Sequence, residues 1–195
     1  MTDKKTLRKF YAARREAVNA GDRKNFDRAI RARIRALPEY RNCRALALYA
    51  TDGKEPDLLP LAEHADKILL FPRYRRESGV YEFAVVRSPQ ELQPGKYGIL
   101  EPCETCPAAD AGLVRRETLH LVPGVAFDLD GTRLGRGGGF YDRLLEGVTS
   151  PVCGVYYSCQ CSPEKLPEES HDRKMDMAVT EVTGLRWKNS VKKST

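Results

Sequence analysis

The stretch best equipped for chemistry is Arg133-Leu134-Gly135-Arg136-Gly137-Gly138-Gly139-Phe140-Tyr141-Asp142. Glycines allow backbone N–H groups to approach an anion closely, and guanidinium groups on either side add charge-assisted hydrogen bonds to its oxygens. Arg133 and Arg136 bracket the glycines in this way. A strand is predicted before the turn and a helix over 140–146 after it, which places it at the rim of an α/β sheet, where ligands bind and a helix N-terminus adds partial positive charge. Two phosphate motifs are excluded. Walker A requires Lys-Ser/Thr after its last glycine, and Phe140-Tyr141 stands there. The dinucleotide fingerprint begun at Gly135 requires a glycine at position 140, which is Phe140.

The six cysteines offer a second chemistry. Cys103-x-x-Cys106 and Cys159-x-Cys161 together could supply four zinc ligands. The spacing of the second pair is wrong for a zinc knuckle and neither pair sits in a recognisable ribbon, so reduced thiols, solvated or in the core, are expected.

Elements must position these groups. Residues 3–19 read as a helix with Leu7, Phe10, Tyr11, Ala17 and Val18 roughly on one side. Gly21-Asp22 is expected to break it, with Asp22 capping a second helix that runs to Leu37 and is stopped by Pro38. Phe26, Ile30, Ile34 and Leu37 recur there at helical spacing, and Arg28, Arg31, Arg33 and Arg35 between them read as a solvated face. Strands are expected at 45–49, 68–71, 81–86, 120–122 with 125–127, and 152–157, with helices at 58–65 and 140–146. Apolar residues at consecutive positions indicate strands covered on both faces. The predicted fold is α/β: three layers, a largely parallel central sheet flanked by helices, and an N-terminal helical arm. Residues 1–185 are expected to form one domain with the arm at 1–40, and 186–195 a disordered basic tail.

With 195 residues and 41% hydrophobic content, the chain can bury a real core. No apolar run is long enough to cross a bilayer, and the charged first residues lack the apolar centre of a secretory signal, so a cytoplasmic protein with no membrane partner is expected. The formal charge of +6 is unevenly placed: residues 1–44 carry 14 Lys/Arg against 5 Asp/Glu, a net of +9, and the remainder carries 19 against 22, a net of −3. That asymmetry calls for an anion facing the arm, and charge alone does not choose among nucleic acid, a triphosphate and an acidic small molecule. No nucleic-acid motif is present and the aromatics are not interleaved with the basic run, so no nucleic-acid partner is expected.

The pattern Pro-Gly-x-x-Phe-Asp followed by Arg-Leu-Gly-x-Gly-x-Gly-aromatic-Tyr-Asp, over residues 123–142, resembles the 5-formyltetrahydrofolate cyclo-ligases. Lys4-Lys5-Thr6-Leu7-Arg8, Glu55-Pro56-Asp57, Phe71-Pro72-Arg73, Gly98-Ile99-Leu100-Glu101-Pro102, Gln160, Pro167, His171-Asp172, Asp176 and Thr180-Glu181 extend the resemblance to about residues 4–181. Leu58 departs from it, standing where a threonine often follows the Glu-x-Asp, and the paired cysteines are outside the pattern.

The resemblance implies an enzyme that closes 5-formyltetrahydrofolate to 5,10-methenyltetrahydrofolate with hydrolysis of ATP to ADP and phosphate, using Mg2+. It implies ATP binding by Lys4, Lys5, Arg8, Arg133, Gly135, Arg136, Gly137, Gly138, Gly139, Phe140 and Tyr141, and catalytic roles for Lys4, Arg136 and Tyr141. Glu55, Tyr97, Arg136 and Tyr141 are implied for the folate, Glu55 accepting two parallel donors from the pterin ring. Asp142 and Asp172 are the implied magnesium ligands, with Asp176 open as an alternative to Asp172. His171 is expected as a hydrogen-bonding partner, not a general base. A monomer acting on small molecules is expected.

Overall fold

The computed structural model describes residues 3–63, 66–95 and 98–187. Tyr97 and residues 188–195 of the basic tail lie outside the described residues.

Helix α1 (Lys4–Glu16) starts at Asp3, whose carboxylate accepts the amides of Lys5 and Thr6 at 2.7 and 2.9 Å. Helix α2 (Ala20–Ala36) begins earlier than expected, because Asn19, not Asp22, is its cap: Asn19 Oδ1 accepts the Asp22 amide at 2.9 Å, so Gly21-Asp22 lie inside the first turn. Asn19→Ala is expected to cost about 1 kcal/mol, seen as a melting temperature lower by ~2–4 °C; an unchanged melting temperature would show the cap to be idle. Pro38 forces Leu37 into extended backbone, ending α2, and then occupies the first turn of a short helix α3 (Pro38–Asn42).

The central sheet has seven strands, in the order β12 (Gly184–Arg186), β11 (Met177–Val179), β9 (Val152–Val155), β6 (Thr118–Pro123), β1 (Ala45–Ala47), β2 (Ile68–Arg75) and β3 (Val80–Val86). The five inner strands are mutually parallel and the two edges, β3 and β12, run antiparallel to their neighbours. Successive residues point to opposite faces. Leu46, Leu48, Leu69 and Phe71 pack with Ile30 and Ile34 of α2 and Leu61 of α4 (Leu59–Ala62). Ala45, Ala47, Leu70 and Phe83 pack instead with Leu113 of α5 (Ala111–Arg116) and Leu144 of α6 (Phe140–Leu144). The three layers and largely parallel sheet are thus as expected. Of the helix α2 arginines, Arg28, Arg33 and Arg35 are exposed, whereas Arg31 is half-buried and donates to Asp57 O at 2.7 Å.

Residues 120–127 do not continue as one strand of this sheet. The chain leaves β6 at Gly124, where a Cβ would lie 2.8 Å from the Tyr156 ring, and enters a second sheet ordered β10 (Cys161–Ser162), β7 (Ala126–Asp128), β8 (Arg133–Leu134). Buried Gln160 pins the crossing by donating to Gly124 O and Val125 O at 2.8 and 3.0 Å. Asp128 shapes the β7–β8 turn, accepting the amides of Asp130 and Thr132, each at 2.9 Å, and that of Leu166 at 2.8 Å. The arm docks on this sheet: Leu7, Tyr11 and Ala12 of α1 pack with Val125, Ala126, Leu134 and Leu166. β4 (Leu92–Pro94) and β5 (Leu100–Pro102) form a two-stranded antiparallel ribbon.

Candidate active site

A cavity of about 640 Å³ opens where β1 and β6 end, bordered by Tyr49, Ala50, Pro123 and Gly124, the position favoured for ligands in parallel sheets. The glycine-rich turn, Gly135 to Gly139, forms one wall. Gly137 and Gly139 have φ of 100° and 61°, a left-handed conformation that side chains rarely adopt. A Cβ at Gly137 would also stand 3.3 Å from the Arg8 guanidinium. The helix after the turn, α6, is shorter than expected at five residues, so the positive character of this wall comes from the turn and its cations.

Docking of α1 brings the arm to the turn. Arg8 Nε donates to Gly135 O at 2.8 Å. Lys4 Nζ donates to Asp172 Oδ2 at 2.8 Å and Glu169 Oε1 at 2.9 Å. Lys4, Arg8, Arg133, Arg136, Phe140, Tyr141, Asp142, Asp172 and Glu55 all line the cavity. Lys5 is exposed on α1 and is not among the lining residues.

Three carboxylate–cation pairs recur along this lining. Asp142 Oδ1 accepts Arg133 Nη2 at 3.0 Å, with side-chain exposures of 15% and 5%. Asp172 pairs with Lys4; burial pushes its carboxyl up, but the hydrogen bonds and charge of Lys4 outweigh burial and hold it below the usual range. Glu55, 5% exposed, accepts Arg136 through Nε at 3.1 Å and Nη2 at 2.6 Å. Burial dominates at Glu55 and raises its carboxyl above the ordinary value despite the guanidinium. Burial likewise drives the Tyr141 phenol well up, keeping it protonated. Its ring faces Arg133 at 5.6 Å.

Asp142 and Asp172 are brought to one place: Asp142 also accepts the amide of Arg173, adjacent to Asp172, at 3.3 Å. Asp176 is turned to another task, accepting the Val152 amide at 2.9 Å, and does not line the cavity. No group of three or more His, Cys, Asp or Glu side chains converges among the described residues. Two aspartates beside cationic, glycine-lined space are instead a donor set suited to Mg2+, which uses one or two carboxylates and completes its shell with phosphate oxygens and water. His171 is exposed, with Nε2 3.6 Å from Glu169 and 3.8 Å from Asp172.

Several lining or supporting groups were not singled out from sequence. Arg15, 3% exposed on α1, places Nη1 3.5 Å from Glu55. Asp52 accepts Arg136 Nη2 at 2.7 Å. Tyr81 and Phe140 form an aromatic wall with ring centroids 4.3 Å apart, and Glu101 lies beside them. Arg15 follows Tyr11 by one helical turn, so its inward face was available in the periodicity. The Asp52 and Tyr81 contacts depend on tertiary placement and had no local signal.

A family model for the 5-formyltetrahydrofolate cyclo-ligase family matches residues 1–181. The 5-formyltetrahydrofolate cyclo-ligase of Escherichia coli K12 is 30% identical, covering 89% of this chain and 98% of its own, and that of Mus musculus is 26% identical over 91% and 93%. The NMR structure of the Aquifex aeolicus 5,10-methenyltetrahydrofolate synthetase superimposes with a TM-score of 0.82 at 35% identity, covering 95% of this chain and 93% of that one. The chain belongs to the 5-formyltetrahydrofolate cyclo-ligase family.

Proposed function

We propose that this chain catalyses the ATP-dependent cyclisation of 5-formyltetrahydrofolate to 5,10-methenyltetrahydrofolate, releasing ADP and phosphate. The observation that carries the proposal is one cavity holding the glycine turn, Lys4, Arg8 and Arg133 together with the buried carboxylate of Glu55. A formamide oxygen is a poor leaving group. Transfer of the γ-phosphoryl group to it breaks the bond to ADP and makes it a good one. N10 then attacks the formyl carbon and loses its proton, and the carbon–oxygen bond to phosphate breaks. Such a reaction is mainly one of alignment and charge neutralisation.

Each residue has a part in that scheme. Lys4, Arg8 and Arg133, with the backbone of 135–139, hold the triphosphate. Asp142 and Asp172 would hold Mg2+, which would supply neutralisation of phosphate oxygens. With nucleotide and metal present, Lys4 and Arg133 would turn from Asp172 and Asp142 to phosphate oxygens, and the two aspartates would turn to the cation. Arg136 moves from Glu55 to the transferring phosphoryl group, freeing Glu55 to accept two donors from the pterin ring. Tyr141, kept protonated by burial, donates a hydrogen bond near the reacting oxygens, and Tyr81 and Phe140 flank the folate.

Lys4 and Arg15 of the arm pair with carboxylates of the cavity and Arg8 bonds the glycine turn, which supports a small-molecule anion as its partner; a monomer without nucleic acid is part of the same proposal. No described helix is long and apolar enough to cross a membrane, and the cytoplasmic assignment remains that of the sequence. Protein mixed with Mg-ATP and 5-formyltetrahydrofolate is expected to generate the near-ultraviolet absorbance of the methenyl product, dependent on ATP. A folded sample that leaves the absorbance flat would remove the folate assignment.

A further inference from the structure

The Cys103–Cys106 turn has no part in the cyclisation, yet it is built. Pro102 ends β5, and Cys103-Glu104-Thr105-Cys106 folds into a tight turn closed by Cys106 N donating to Cys103 O at 3.1 Å. The buried guanidinium of Arg73 clamps it, with Nη1 donating to Cys103 O at 2.7 Å and Cys106 O at 2.9 Å, and is itself anchored by Nη2 on Glu82 at 2.6 Å. The clamp leaves the two sulfurs 3.3 Å apart. Cys103 is half-exposed and Cys106 is 4% exposed.

We propose that Cys103 and Cys106 form a redox-active dithiol that exchanges with low-molecular-weight disulfides, Cys103 attacking and Cys106 resolving. The Cys103 thiolate attacks one sulfur of the disulfide, giving a mixed disulfide and releasing one thiolate. Cys106 loses its proton to solvent and attacks Cys103 Sγ, expelling the second thiolate. The two cysteines are oxidised by two electrons and the external disulfide is reduced to two thiols.

The two thiols are differentiated as these roles require. The Thr105 hydroxyl, 3.1 Å from Cys103 Sγ, and the Cys106 thiol hold the Cys103 thiol below its ordinary value. Burial, with the neighbouring Cys103, pushes Cys106 up to about 11. Burial pushes Cys43, Cys153, Cys159 and Cys161 up as well, so Cys103 is the thiol set apart for attack.

The fully reduced, full-length protein would be treated with glutathione disulfide at neutral pH, quenched in acid, alkylated and mapped by peptide mass. The expected result is an internal disulfide joining Cys103 and Cys106, with the other four thiols alkylated. Cys106→Ser is expected to trap one glutathionyl group on Cys103, formed at least ~10-fold faster than any adduct elsewhere, and Cys103→Ser to leave Cys106 unmodified. First modification at Cys43, Cys159 or Cys161 would overturn the proposal. So would alkylation of both turn cysteines in wild-type protein under conditions that fully oxidise a Cys-x-x-Cys peptide. The wild-type measurement needs no variant to fold.

Discussion

Asp142→Asn is expected to reduce turnover by at least ~10²-fold, the scale of losing one fixed charge-stabilising group at a phosphoryl or acyl transition state, while the protein stays folded. Asp142 has two distinct jobs to separate. It balances Arg133, only 5% exposed, whose Nε is buried without a partner among the described residues, and it accepts the Arg173 amide. It also supplies a carboxylate to the proposed metal. Asparagine keeps an acceptor for Arg133 and Arg173 but removes the negative charge that a hard cation needs. Alanine removes both and leaves a buried guanidinium unpaired, at a cost of about 3–5 kcal/mol. Turnover should therefore fall in both variants, and the melting temperature should fall mainly in Asp142→Ala. Near-normal turnover of Asp142→Asn in saturating Mg-ATP would show that the metal is held elsewhere.

Glu55→Gln is expected to raise the Michaelis constant for 5-formyltetrahydrofolate by about 10- to 100-fold, the worth of one hydrogen bond to a charged group, and to change that for ATP much less. An amide presents one acceptor and one donor where the pterin edge requires two acceptors, so one bond is lost and two N–H groups oppose each other. The carboxylate also makes folate binding pH-dependent. Burial raises the Glu55 carboxyl, and only its ionised form accepts both donors. Wild-type kcat/KM for the folate should hold at neutral pH and fall with acidification, starting above the ordinary carboxylate range; in Glu55→Gln that acid limb should vanish. Equal rises in both Michaelis constants, or an unchanged limb, would contradict the pterin role.

Much of this site was legible locally, because its parts sit on elements with strong periodic or compositional signals. The glycine turn announced itself by composition. The arm was readable as a helix from Leu7, Tyr11 and their neighbours, and the structure docks that helix beside the glycine turn. The opaque parts depend on tertiary placement. Consecutive apolar residues at 120–127 mark buried extended chain, but they do not say that the chain changes sheets at Gly124, a move decided by the Tyr156 ring and by Gln160. Asp22 is a good cap by type, yet Asn19 takes the position because its carbonyl oxygen reaches the Asp22 amide. Short strands such as β11, with three residues, are too brief for a period to show, although Met177, Ala178 and Val179 are all buried in the sheet. Arg136 was read as a phosphate ligand, and its present bonds to Glu55 and Asp52 join groups 81 and 84 residues apart. No local pattern records such a pair.

The most direct measurement is a crystal structure of the protein with Mg2+ and a non-hydrolysable ATP analogue. The phosphate chain is expected along residues 135–139, within hydrogen-bond distance of Lys4, Arg8 and Arg133, with the cation on Asp142 and Asp172. A nucleotide whose phosphates lie outside this cavity, or a cation held by neither aspartate, would contradict the account.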